Sequence, residues 1–289
     1  MLETIEKLNY RAHPGASSLR SRRTMQLAHP MPAIELQPGN AIALEFVQAL
    51  ISAAGDANHH VLLTASGDDT TVIEDLMRSG RVDGFVFSNL EPHDRRVRLV
   101  AERGFPFACF GRTESDLPQC WVDIDNAGGT SAATQHLIAK GHTSIGYLGF
   151  GGQSYWDQER LSGYHQAMAL ANLTPHPVLV DHDDTRSSCV SALLDGPHLT
   201  AVVTGSDALA AVVYSGAERR GMMVGKDLDV TGFDGSIIAR SLTPRLSTLT
   251  IPTVEIAVLA VNRVLDERDG PTGQPGQIVD LPLVLGESA

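Results

Sequence analysis

From Thr24 onward, short apolar runs alternate with longer stretches whose apolar positions recur at helical spacing. The runs predict strands over 25–28, 60–64, 82–88, 107–110, 144–149, 178–181, 201–204, 228–233 and 246–250. The amphipathic stretches predict helices over 41–54, 71–79, 94–103, 126–140, 155–171, 207–220 and 254–267. This alternation is the pattern of an α/β protein, a parallel sheet with crossover helices. Asn126 reads as the N-cap of its helix and Gly141 as the left-handed residue that ends it. So many strands suit two sheets better than one. Gly149, Gly151 and Gly152 read as the flexible connection between them, and DGPTGQPG at 269–276 is too rich in Gly and Pro to continue any element.

Composition narrows the class. A chain of 289 residues has room for about two domains, and 43% hydrophobic against 19% charged residues supplies an ample core, which rules out global disorder. No run approaches the roughly 20 apolar residues of a membrane span, and the N-terminus lacks the apolar stretch of a secretion signal. A soluble, cytoplasmic protein with no membrane partner is expected. Cys109, Cys120 and Cys189 fit neither a disulfide framework nor a zinc site, and read as reduced core residues. The net charge is −12, which would repel nucleic acid from the body of the protein. Residues 1–23 differ: five basic side chains against two acidic ones give that arm +3 and leave −15 on the rest.

In an open α/β sheet, ligands bind at the carboxyl ends of the strands. Polar residues at those ends are Arg112, Asp123 and Asp125, Ser206 and Asp207, and Asp234. The richest segment is GFGGQSYWDQERLSGY after the strand at 144–149. Ser154 and Asp157 have capping-box spacing, which would start a helix there and expose Tyr155 and Trp156 on its first turn. Arg160 follows Trp156 by four residues, so both project from one helical face. An aromatic plate beside a guanidinium, facing carboxylates, has the composition of a sugar site: the ring covers the C–H face of a pyranose and the charged groups bond its hydroxyls. The alternative is structural, with Trp156 packed against a neighbouring domain and Arg160 in an internal ion pair.

Other chemistry finds little support. His182 to Asp184 has metal-compatible ligand types but reads more simply as a solvated loop. Gly149-Phe150-Gly151 lacks the third glycine of a dinucleotide fingerprint, so no nicotinamide or other cofactor is expected, and no phosphate-binding loop, nucleophile elbow or zinc motif is present. Asp123 and Asp125 could imitate a catalytic pair, yet strand alternation puts them on one face with no place for a substrate between them. One is expected to orient a loop and the other, Asp125, to meet a ligand. The chain does not read as an enzyme.

These residues resemble the lactose and galactose repressor family of bacterial transcription regulators. The likeness is carried in order by LETIEKLNYRAHPGASSLRSRRT, VDGFVFS, VDIDNAGGTSAATQHLIAKGHTSIGYLG, ERLSGYHQAM, AVVTGSDALA and VTGFDGSIIARSLTPRLSTLT, through nearly the whole chain. It implies a periplasmic-binding-protein-like fold: two doubly wound parallel-sheet subdomains joined by three crossovers, with a small-molecule effector, usually a sugar, in the cleft. The crossovers are expected near 149–152, near 250–254 and in DGPTGQPG. That gives an N-terminal subdomain of 24–150 with 253–272, and a C-terminal one of 151–252 with 273–289. Carried over by position, Arg160 in ERLSGY and Asp234 in GFD match effector contacts, Ser206 matches a frequent polar contact, and Arg112 and Asp125 match contacts in a subset of members. Trp156 and Tyr155 are added from chemistry alone.

The resemblance also makes residues 1–23 a headpiece remnant with a hinge helix that would lie in the DNA minor groove of a homodimer. Leu19, in a segment beginning at Ala16, sits where a wedging leucine is expected, and Arg20, Arg22 and Arg23 would pair with phosphates. Without DNA so short a helix is expected to fray. The helix-turn-helix that reads operator DNA would lie upstream of Leu8-Asn9-Tyr10, and Met1 stands only a few residues before it. This chain is therefore expected to lack base-specific recognition as written. A solute-binding protein of a sugar transporter is the alternative on the same fold, but it would require export and leaves the basic arm without a role.

Overall fold

The computed structural model describes residues 23–36, 40–66, 70–113, 120–181, 186–196, 198–269 and 275–289. Ala16, Leu19, Arg20 and Arg22 of the proposed DNA contacts, and His182 to Asp184, lie outside the described residues.

Among the described residues two six-stranded sheets form. The first is ordered β11-β5-β4-β3-β1-β2, from Gln26–Pro32 (β1), His60–Ser66 (β2), Gly84–Phe87 (β3), Phe107–Phe110 (β4), Trp121–Ile124 (β5) and Gln277–Val279 (β11). The second is ordered β12-β10-β9-β8-β6-β7, from Ile145–Phe150 (β6), His176–Val180 (β7), Ala201–Thr204 (β8), Asp229–Asp234 (β9), Ser247–Thr250 (β10) and Leu283–Val284 (β12). Every pairing is parallel except β10 with β12. The strands that sit inside each sheet are almost continuously buried, as a sheet covered on both faces requires.

Helices cover both faces of each sheet. On the first lie Ala41–Asp56 (α1), Thr71–Ser79 (α2) and Arg95–Glu102 (α3), and on the second Asn126–Ala139 (α4), Tyr155–Leu170 (α5), Arg186–Asp195 (α6), Asp207–Glu218 (α7) and Ile237–Ser241 (α8). Thr253–Asp269 (α9) returns to the first sheet and packs on α1. Separate apolar clusters fill the two faces: Leu27, Phe46, Leu50 and Val261 under α1 and α9, and Ile73, Phe85 and Val97 under α2 and α3. In the second unit Tyr147 and Tyr164 stack at 5.2 Å under α4 and α5, while Val202, Val213 and Leu228 pack under α6 and α7.

The chain crosses between units three times, and two crossings differ from the sequence expectation. Because β6 belongs to the second sheet, Gly149 to Gly152 do not connect the units; the first crossing falls at Asp125–Asn126, between β5 and α4. Gly149 serves packing: a Cβ there would collide with the Tyr147 ring, and its Cα lies 3.2 Å from the Cβ position of Gly205. The second crossing, between β10 and α9, is where the sequence places it. The third follows β11 and so comes after DGPTGQPG, since Gln277–Val279 still pairs with β5. Residues 126–150 thus move to the second unit and 275–279 to the first.

Helix caps explain local starts. Asp125, rather than Asn126, caps α4 by accepting from the Gly128 N–H at 2.7 Å, and Gly141 follows that helix at φ +97. Ser154 precedes α5 as expected, but its hydroxyl donates to Asp157 at 2.6 Å instead of bonding a backbone N–H. No helix among the described residues is long and apolar enough to cross a membrane.

Candidate functional site

The carboxyl ends of β1, β3, β4, β5, β6, β8, β9 and β10 converge on one cavity of about 180 Å³ between the two units. That is several times the roughly 30 Å³ a water occupies in the liquid. Strand direction dictates its place: parallel strands deliver all their carboxyl ends, and the helix N-termini that follow, to one edge.

Arg160 stands at the centre. The first turns of α5 carry it inward until it is buried, where Nε donates to Asn126 Oδ1 at 2.9 Å and Nη1 to the Gly205 carbonyl at 2.7 Å. Its guanidinium lies 4.8 Å from the Trp156 ring centre and 3.5 Å from that of Phe233, with Asp234 Oδ1 at 3.8 Å. Burial pulls its pKa below the ordinary value, against the opposing pull of Asp234 and Asp157, and a guanidinium so placed still carries its charge at neutral pH.

Asp234 ends β9 at φ 117, a backbone region that costs a non-glycine residue on the order of 1–3 kcal/mol and that the surrounding structure must enforce. Burial and the adjacent Asp207 push its carboxyl well above the usual range, while Arg160 pulls it down. Asp207 stands behind it. Burial raises Asp207 to about 6, although it accepts from Thr248 Oγ1 at 2.6 Å and from Ser236 N and Oγ at 2.7 and 2.9 Å. Of this buried pair beside one guanidinium only Asp234 lines the cavity, so it is the carboxyl group within reach of a ligand.

Most of the sequence candidates meet here. Arg160, Asp234, Trp156, Tyr155, Ser206 and Arg112 all line the cavity. Ser206 caps α7 by accepting from the Leu209 N–H at 3.2 Å, a bond that leaves its O–H proton uncommitted. Arg112 bridges the units: Nε donates to Asp123 at 2.7 Å, Nη2 reaches both Glu159 oxygens at 2.7 and 2.8 Å, and the guanidinium lies 5.3 Å from the Trp121 ring centre. Trp156 packs edge-on to Phe150 at 6.0 Å and is half-buried, whereas Tyr155 is 37% exposed at the rim.

Asp125 is the exception. It is exposed, caps α4 and does not line the cavity; Asp123, buried against Arg112, does. Strand β5 ends at Ile124, so the alternation that would put both carboxylates on one face stops one residue too early. Arg23 pairs with Asp269 at 3.3 Å on the surface. Sequence reading missed Asn126, Phe150 and Arg186, and also Glu35 and Ser88, which follow β1 and β3. The rule of strand carboxyl ends could have found Glu35 and Ser88; nothing in their local sequence marks them. Cys109 and Cys120 are buried and free, and Cys189 is half-buried.

Comparison with known proteins agrees with this architecture. Residues 134–289 match the family model of a periplasmic binding protein-like domain. The HTH-type transcriptional regulator CelR of Thermobifida fusca is 30% identical over 299 residues, covering 98% of this chain and 87% of that protein. The ribose operon repressor of Haemophilus influenzae is 26% identical over 299 residues, covering 100% and 88%. A regulatory protein of the LacI family from Chloroflexus aggregans superposes with a TM-score of 0.82 at 28% identity, over 92% of this chain and 98% of that one. Sequence, fold and cleft converge, and the chain belongs to the LacI/GalR family of transcriptional regulators.

Proposed function

We propose that this chain is the sensing core of a DNA-binding transcriptional repressor whose cleft holds a sugar. The observation that carries the reading is the cavity itself: a buried guanidinium, three carboxyl groups and an indole gathered between two units that are joined at three points. Arg160 and Asp234 would bond ring hydroxyls, Trp156 and Tyr155 would cover an apolar sugar face, and Ser206 and Arg112 would fix orientation. The relative named for a ribose operon supports a sugar over other small molecules. A sugar that binds both walls favours one arrangement of the units over another, and in a homodimer that bias changes the spacing of the segments that contact DNA. The sugar and the operator are then coupled through one equilibrium. Leu19, Arg20, Arg22 and Arg23 would make the minor-groove and phosphate contacts at the operator.

A thermal-shift screen of D-glucose, D-galactose, D-ribose and cellobiose, with nucleosides and amino acids as comparison, tests the sugar. A ligand at a hundred times its Kd stabilises the native state by about 2.7 kcal/mol, which raises the melting midpoint by several degrees. At least one sugar should do so, and Arg160→Ala should weaken it by tenfold or more, as the loss of charge-assisted bonds requires. Because Arg160 also holds Asn126 and the Gly205 carbonyl, the variant's own midpoint should fall too. A response to nucleosides or amino acids alone would overturn the sugar reading.

A further inference from the structure

The wall that the first unit gives to the cavity has a polar group that neither motif nor resemblance marks. Glu35 lies in the 3-10 turn Ala33–Leu36 after β1, lines the cavity, and has a side chain only 3% exposed. One side of its carboxylate is occupied. Ser88 Oγ donates to Oε1, and His29 Nε2 stands 3.3 Å from Oε2 without the geometry of a hydrogen bond. His29 is itself fixed, fully buried, with Nδ1 2.8 Å from the Val86 carbonyl and its ring edge-on to Phe46 at 5.9 Å.

The turn is braced from behind. Arg96 on α3 is buried and spends its donors on Asp94 and on the carbonyls of Pro30, Ser88 and Asn89, tying the end of β1 to the end of β3. Glu35 and Ser88 therefore sit on a rigid frame. Buried polar atoms are nearly always satisfied, yet among the described residues Glu35 Oε2 finds no hydrogen-bond donor. A carboxylate has about four acceptor sites, so the Ser88 bond leaves most of them unused in a residue that lines the cavity.

We propose that Glu35, positioned by Ser88 and His29, is a specificity-determining contact that accepts hydrogen bonds from hydroxyl groups at the end of the sugar seated in the first unit. This deepens the sugar reading of the same cleft and depends on it. Arg160 and Asp234 grip the ligand from the second unit, so a sugar that satisfies both walls links them, and Glu35 selects ligands with donors at the far end. A ligand bearing a methyl group or an anion there meets an unpaired or repelling carboxylate.

The test pairs protein and ligand deletions by calorimetry. The sugar among D-glucose, D-galactose and D-ribose that most raises the native melting midpoint is titrated beside its monodeoxy analogues into native protein, Glu35→Gln, Glu35→Ala and Ser88→Ala. Native protein should lose about tenfold or more at one or two deoxygenated positions, as expected for bonds to a charged acceptor. Glu35→Ala should bind the parent sugar correspondingly weakly and lose under threefold at those same positions, with Glu35→Gln between. Ser88→Ala keeps the carboxylate, so it should keep the deoxy pattern at lower affinity. Melting midpoints of the ligand-free variants separate a folding defect from lost contacts, because a merely structural Glu35 would lower the midpoint and leave the deoxy pattern as in native protein. That pattern unchanged in Glu35→Ala, or parent affinity within twofold of native, overturns the assignment while the sugar reading stands. No response of native protein to these three sugars or to cellobiose overturns both.

Discussion

Asp207 never touches the cavity, yet its proton sets the charge behind Asp234. Its folded-state pKa of about 6 exceeds the roughly 3.9 of an unfolded aspartate, so the folded protein binds this proton more tightly. Stability without ligand should therefore decline as pH rises from about 4 through about 6, the interval between those two values. Asp234 shifts in the same direction and adds to the slope. Melting midpoints of native protein and Asp207→Asn, compared over that interval, should diverge, with the native curve falling relative to the variant. Parallel curves would mean that Asp207 is charged in the fold at no cost. At this scale the sequence was most legible where chemistry and position coincided: Trp156 and Arg160 four apart on α5 do face one cavity. It misled at Asp125, because an aspartate beside a strand end serves as a cap or as a ligand contact, and only the strand's last residue decides which.

Among the described residues helices α4 and α5 make the most extensive helix contact, and they bring Asn126 and Arg160 together. The approach is set by Gly163, where a Cβ would run into the Ala127 carbonyl. Gly163→Ala must separate the helices, and overpacking of this kind costs about 1–3 kcal/mol. Urea unfolding should show a lower midpoint at unchanged slope, together with weakened sugar binding, since Asn126 would be displaced from Arg160; an unaltered midpoint would contradict this packing account. Helices with a clear apolar stripe were legible, α2 to the residue. Trp121–Ile124 was not, because Asp123 breaks its apolar run, and Arg186–Asp195 was not, because its serines blur the helical period.

The two units are held by three chain crossings and by ion pairs that span the gap, Arg112 with Glu159 at 2.7 Å and Arg240 with Glu45 at 3.1 Å. Two sheets were foreseeable from the number of strands, and their division was not. The first crossing runs from a strand into a capped helix with no loop between, so it leaves no glycine or proline to mark it, while the conspicuous glycines at 149–152 mark close packing instead. On the proposed function, the cleft between these units grips a sugar against the indole of Trp156, which lines it. The chain has two tryptophans, so Trp121→Phe leaves Trp156 as the sole indole reporter. Indole emission of that variant, followed through a titration with the sugar that most stabilises the protein, tests the claim most directly. The expected result is a saturable change whose midpoint equals the calorimetric Kd. Calorimetric binding with no change in Trp156 emission would contradict it.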